Sequence, residues 1–183
     1  MYRLKKMAEF ASGKILDIGF TDQPNTYLKG DVYGLDINKP ANIPANYKGY
    51  FVHDACRLIE MEERYDTILA GEIIEHLDSP QSFLAGCYAI LNPGGSLVIS
   101  TPNPYYPPIA FLEILMIRRY FYAPGHVNLY LPRFLVRMME RYEFADVRVY
   151  SGGIDLPLVK FDIPFPFPFC GINIYVGHKP NNP

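Results

Sequence analysis

Cysteine is scarce. Cys56, Cys87 and Cys170 are odd in number, far apart and without a C-x-x-C pair, which argues against a disulfide framework and against a thiolate zinc centre. They read as reduced thiols of a core. Positive charge is not in excess either: 17 Lys and Arg stand against 19 Asp and Glu, and the formal charge of −2 supplies no diffuse cationic field, so nucleic acid is not the expected partner. Long hydrophobic runs are missing as well. The longest, residues 109–117, is interrupted by Glu113 and is too short to span a bilayer. Residues 1–6 are basic, but the stretch that follows carries Glu9 and has too little apolar length for a signal peptide, so a cytoplasmic location is expected.

What is present is enough apolar material for one core. At 183 residues and 49% hydrophobic content, the chain suits a single domain over 1–183 and is too short for two ordinary ones. Its organising stretch is Lys14-Ile15-Leu16-Asp17-Ile18-Gly19 followed by Val32-Tyr33-Gly34-Leu35-Asp36. Both read as buried strands that close on an acid or a glycine, the pattern of a ligand edge in an open α/β sheet. Asp36 could accept hydrogen bonds from both hydroxyls of a ribose, so a nucleoside-bearing cofactor is the first expectation. The bland alternative for Asp36, a cap or turn residue, stays open.

The remaining chain alternates strands with helices. Residues 1–13 hold a short helix, a brief helix is expected over 24–28, and a strand at 50–53 closes on Asp54. A short helix over 58–64 and a strand at 65–70, running into Gly71 and Glu72, come next. Ser79 as N-cap, Pro80 at the first helical position and the spacing of Phe83, Leu84, Cys87, Ile90 and Leu91 predict a helix that Asn92-Pro93-Gly94-Gly95 ends. The apolar run 96–100 predicts a strand covered on both faces. Residues 102–130 form an aromatic, proline-rich insertion with a helix over 109–122. A helix over 131–142, a strand at 146–150, a proline- and phenylalanine-rich connection over 156–170 and a last strand at 172–176 complete the chain. A doubly wound, Rossmann-like, mostly parallel sheet is the expected fold.

These residues resemble the class I S-adenosylmethionine-dependent methyltransferases, in particular the small-molecule group of quinone-biosynthesis O-methyltransferases. The likeness runs from about residue 14 to 150. It rests on Leu16-Asp17-Ile18-Gly19, Gly34-Leu35-Asp36, Asp54-Ala55, Tyr65-Asp66 leading to Glu72-Ile73-Ile74-Glu75-His76-Leu77, and Leu91-Asn92-Pro93-Gly94-Gly95. The resemblance implies a seven-stranded sheet with an antiparallel C-terminal hairpin, S-adenosylmethionine as cofactor and a small-molecule, hydroxyl-bearing acceptor. It implies a cofactor site of Asp17, Gly19, Asp36, Ile37, Asp54, Ala55, Gly71 and Glu72, with Gly19 under the methionine part, Asp36 on the ribose and Asp54 with Ala55 at the adenine. The sequence departs from the family in its first loop, where Thr21 and Gln23 occupy the second and third glycine positions; a shorter loop path is expected there. That departure keeps open a cofactor-binding protein without transferase activity. An NAD-dependent oxidoreductase is the other rival, opposed by the missing G-x-G-x-x-G.

Candidate chemistry is sparse. His126 matches a histidine found in the resembled group between the fifth strand and the next helix, and its imidazole suits a base near neutrality. Glu72, Glu75 and His76, at i, i+3 and i+4, could share a helix face and meet His126 around a divalent ion, as in metal-dependent methyltransferases; the favoured reading is that Glu75 and His76 simply belong to the short helix after the fourth strand, with Glu72 facing the cofactor. Arg133, Arg137 and Arg141 form a stripe that reads as a solvated face, with an anionic-substrate surface as the alternative. The segment from Tyr105 to Tyr122 suits acceptor specificity or a homodimer face.

Overall fold

The computed structural model describes residues 1–115, 125–156 and 161–181. Along the chain lie α1 (Tyr2–Ala8), β1 (Lys14–Ile18), β2 (Asp31–Asp36), β3 (Tyr47–Val52), β4 (Tyr65–Gly71), α2 (Pro80–Ile90) and β5 (Leu91–Pro102). After them come α3 (Pro107–Ile114), α4 (Pro132–Arg141), β6 (Ala145–Ser151), β7 (Ile154–Leu156), β8 (Phe161–Ile163) and β9 (Ile172–His178). Single 3-10 turns occupy Ala55–Glu60 and Ile74–His76.

Seven strands form one sheet in the order β3-β2-β1-β4-β5-β9-β6, parallel except for β9, which runs antiparallel to both neighbours. This is the mostly parallel sheet with a reversed C-terminal strand that the resemblance implies. Because side chains alternate across a strand, neighbours part to opposite faces. Leu16, Ile68 and Leu97 join the α2 side of the core, whereas Ile15, Leu69 and Val98 join the α1 side. Each such fully buried aliphatic contributes roughly 1.5–3 kcal/mol, and the need to cover both faces explains why these strands read as unbroken apolar runs.

Local signals account for most helix ends. Ser79 caps α2 by accepting from Ser82 N–H, Pro80 occupies the first turn, and Phe83, Leu84, Cys87 and Ile90 fill the core. Leu91 turns extended as β5 begins, and β5 is longer than expected at both ends. α4 buries Leu135 and Met139. α3 begins at Pro107, and residues 116–122 of the expected 109–122 helix lie outside the described residues. No helix among the described residues is long and apolar enough to cross a membrane.

The largest departure falls between β1 and β2, where the expected helix over 24–28 does not form. Side chains hold the crossover instead. Buried Asn25 donates its amide nitrogen to Leu4 O (2.9 Å) and its backbone N–H to Tyr47 Oη (2.9 Å), while Asn46 donates to the carbonyls of Asn25 and Leu28. Phe20 turns inward and stacks on Tyr47 at 5.3 Å between centroids. Gly34 makes room for it, since a Cβ there would sit 2.5 Å from the Phe20 ring. The other departures are smaller: the expected helix over 58–64 is replaced by the 3-10 segment Ala55–Glu60, and β8, inside the connection 156–170, pairs antiparallel with β7. After them the Pro-Phe run lies outside the sheet, where buried Asn103 donates to Pro168 O (2.6 Å) and Cys170 O (2.7 Å).

Candidate active site

The carboxyl ends of β1, β2 and β4 open onto a cavity of about 590 Å³. Of the residues expected to hold a cofactor, Gly19, Asp36, Ile37, Asp54, Ala55, Gly71 and Glu72 line it, together with Leu35, Asp22, Gln23, His53, Ile73 and His76. Asp17 stands apart. It lies on the opposite face of β1, where its carboxylate accepts from Tyr47 Oη and from Asn25 N–H (3.3 Å), and burial pushes its pKa up to about 6. It props the floor of the loop rather than facing the cavity.

Gly19 is the tightest point. Its φ of +77° is costly for any other residue, and a Cβ there would lie 2.1 Å from Ile73 Cδ1. The loop beyond it makes up for its missing glycines with anchors from outside. Asp36 Oδ2 accepts from Thr21 N–H at 3.2 Å and Oδ1 from Asn38 N–H at 2.9 Å, which leaves each carboxylate oxygen a further lone pair. Asp36 is thus both the turn residue and the strand-end acid. Asp54 is likewise double: it caps the 3-10 turn through Cys56 N–H (2.8 Å) while lining the cavity beside Ala55.

At the other end of the cavity a buried polar chain closes the loop. The Arg3 guanidinium, carried by α1, donates to Gln23 Oε1 and to Ser100 Oγ (2.9 Å), and Ser100 donates to Glu72 Oε1 (3.1 Å). Arg3 Nη1 also lies 3.8 Å from Glu72 Oε1. Glu72 itself adopts φ +57°, with its N–H bound to Ser100 O. The helical turn shared by Glu72, Glu75 and His76 that the metal alternative supposed does not exist: Glu72 leaves the strand in a left-handed conformation and lines the cavity, and only the other two enter the 3-10 turn, as in the favoured reading. Arg3 and Ser100 had no signal in the sequence, since a lone arginine in a short basic helix looks like surface; Gln23 stood out only as a departure from the glycine pattern, without its partner.

Glu75, His76 and His126 do converge, with one ligand atom from each lying within 4.8 Å of the others. The imidazoles meet edge to face at 4.5 Å between centroids. Glu75 is buried, and neither carboxylate oxygen meets a hydrogen-bond partner, so desolvation and then the Glu72 charge push its pKa up to about 8. Burial, reinforced by His76, lowers the pKa of His126, which favours the neutral ring. The segment carrying His126 is latched onto the 3-10 turn: Val127 and Asn128 N–H both donate to Glu75 O, Asn128 Nδ2 to Leu77 O (2.8 Å), and Tyr130 Oη to Ile74 O (3.2 Å). Tyr105 is exposed and does not line the cavity.

Comparison with known proteins agrees with this architecture. A family model described as a methyltransferase domain matches residues 3–149. A ubiquinone biosynthesis O-methyltransferase of Bradyrhizobium sp. (strain ORS 278) is 38% identical over 102 residues, 49% of this chain and 40% of that protein. The mitochondrial ubiquinone biosynthesis O-methyltransferase of Rattus norvegicus is 31% identical over 106 residues, 49% of this chain and 31% of that protein. The matches to these relatives thus cover less than half of their length. Among solved structures, a SAM-dependent methyltransferase of Thermotoga maritima superposes with a TM-score of 0.76 at 16% identity, covering 97% of this chain and 88% of that one. Phosphoethanolamine N-methyltransferase 2 of Haemonchus contortus, solved with S-adenosyl-L-methionine, gives 0.61 at 18% identity, covering 97% and 52%. At these identities the structures share the fold.

Proposed function

The chain belongs to the methyltransferase domain family, and on that footing we propose that it transfers a methyl group from S-adenosylmethionine to the hydroxyl of a small-molecule acceptor. The observation that carries this reading is the charge of the cavity. Asp22, Asp36, Asp54 and Glu72 line it with no lysine or arginine among them. Such a wall favours a cationic sulfonium cofactor and opposes the pyrophosphate of a dinucleotide.

The donors present fit the group. Asp36 retains lone pairs for two ribose hydroxyls, Ala55 and Leu35 offer apolar surface for a base, and Gly19 leaves the backbone open where a side chain would intrude. Gln23, held from behind by Arg3, lines the end that would receive the amino-acid moiety. When bound, S-adenosylmethionine supplies an already activated methyl carbon, so the protein's work is alignment and proton removal. A neutral His126, seated by the latch on Glu75 O, is the residue we assign to take the acceptor's proton. Free thiols at Cys56, Cys87 and Cys170 suit a reducing, cytoplasmic setting.

A melting shift with S-adenosylhomocysteine and none with NAD is the expected result. A shift with NAD alone would overturn the reading. Binding without methyl transfer to any of a panel of phenols and other hydroxyl compounds would replace it with a cofactor-binding protein.

One observation favours a second role for the same corner. A buried carboxylate without a partner beside two imidazoles is an expensive arrangement unless something neutralises it. A divalent ion held by Glu75, His76 and His126 would do so, and one carboxylate with two nitrogens suits zinc, iron or manganese better than magnesium. Metal analysis of protein purified without chelator tests it.

A further inference from the structure

Asn128 does not line the cavity, and its amide neither gives nor takes a proton near neutrality. Its bonds nevertheless straddle a histidine. The backbone N–H of Asn128 donates to Glu75 O at 3.0 Å and its side-chain Nδ2 to Leu77 O at 2.8 Å, the carbonyls of the residues on either side of His76. The 3-10 turn that it grips spans only Ile74–His76, and so short a turn does not hold its shape alone. Tyr130 Oη, donating to Ile74 O at 3.2 Å, secures the far end.

The same segment lays a second ring on the first. Two residues before Asn128, the His126 imidazole meets that of His76 edge to face, 4.5 Å between centroids. Gly125 lets the chain pass close: at its φ of +105°, a Cβ would lie 3.2 Å from His76 Nδ1. His76 lines the cavity and His126 does not. The distance from His126 to an acceptor is therefore set by how its ring sits on His76, and Asn128 holds both ends of that relation, one through its bonds and the other through its place in the chain.

We propose that Asn128 is a positioning residue of the methyl transfer, clamping His76 against His126 and so fixing where the base stands. This rests on the base role assigned to His126. The clamp needs a donor on a short arm beside the residue's own N–H, which asparagine supplies and a side chain without a donor does not.

Two measurements on the full chain test it, with Asn128→Ala and with Asn128→Leu, which keeps the branched shape and deletes the donor. The first needs no acceptor: a nuclear Overhauser contact between the ring protons of His76 and His126 is expected in the parent and lost in both variants, with S-adenosylhomocysteine affinity retained. The second is a double-mutant cycle on turnover of a responsive phenol. Either variant should lower kcat about tenfold or more at nearly unchanged KM. In the His126→Asn background the same change should lower nothing further, because a residue that acts by placing His126 has nothing left to place. An absent contact in the parent, a contact that survives in either variant, or an equal fall of kcat in both backgrounds would overturn the proposal. A parent that transfers no methyl group would count instead against the reading on which this rests, and the ring contact then decides for Asn128.

Discussion

Arg3 and Gln23 are joined by a hydrogen bond from the guanidinium to the amide oxygen, which ties the helix before β1 to the loop after it. Gln23 occupies a position where the family places glycine, so the side chain that displaces a flexible backbone is itself held from outside. Arg3→Met should release the loop that carries Gln23. A loss of at least about tenfold in S-adenosylhomocysteine affinity is expected, the worth of one charge-assisted hydrogen bond. Isothermal calorimetry measures it, and unchanged affinity would remove Arg3 from the site.

Gly19→Ala tests the narrow point of the same loop. Its backbone conformation alone costs an L-residue roughly 1–2 kcal/mol, and the added methyl would meet Ile73 Cδ1. A lower melting temperature together with weakened S-adenosylhomocysteine binding is expected. A stable variant that binds normally would show that Ile73 yields freely.

Asp17 gives a pH signature. Its carboxyl is held at about 6 against an ordinary 3.8, chiefly by burial. Well below pH 3.8 the group is protonated in both folded and unfolded chains and contributes nothing. As pH rises through 3.8 toward 6 the unfolded chain ionises first, so stability falls, and above 6 the penalty of about 3 kcal/mol is fully present. Asp17→Asn keeps an acceptor for Tyr47 and Asn25. It should therefore melt higher than the parent at pH 8 and equally at pH 3.5, and parallel melting curves across that range would contradict the assignment.

His126→Asn should leave cofactor binding intact, because His126 does not line the cavity. Methyl transfer should fall by about a hundredfold or more once an acceptor is in hand, the usual contribution of a positioned base. Retained kcat would move the base elsewhere.

Glu75→Gln separates the two readings of the histidine corner. A neutral amide removes the buried charge and the strongest oxygen donor together. If the corner holds an ion, the variant should lose bound metal by mass spectrometry. If the parent protein carries none, the expected change is confined to stability, which should rise at alkaline pH as the ionised carboxylate of Glu75 disappears.

The strands at residues 14–18, 31–36, 65–71 and 172–178 could be read from their apolar runs because both faces of the sheet are covered. Asp36 was legible for the same reason: a strand end is local. Asp17 shared that motif yet faces the other way, since alternation along β1 sends it to the side of Ile15 and leaves Leu16 and Ile18 to the other. Arg3, Ser100 and Gln23 were not legible. Their contacts span 20 to 97 residues of chain, and nothing within a few residues of any of them marks the pairing. Glu72 lies where the favoured reading had it, at the cavity; the alternative metal set included it on a spacing of three and four residues, which implies one face only if the backbone is helical throughout, and here it is left-handed at the first member.

The crossover from β1 to β2 carries one more consequence. Other crossovers of this fold sheathe the sheet with a rod of backbone, whose length must keep step with the strands it joins. Here the sheath is three rings, Phe20, Tyr47 and Tyr50, and rings impose no such step. The strand register, from Lys14 beside Asp31 to Ile18 beside Leu35, is kept by the ladder itself. Beyond buried Leu28, whose carbonyl Asn46 holds, the exposed Lys29 and Gly30 are the place where a segment can be grafted without moving the cofactor edge.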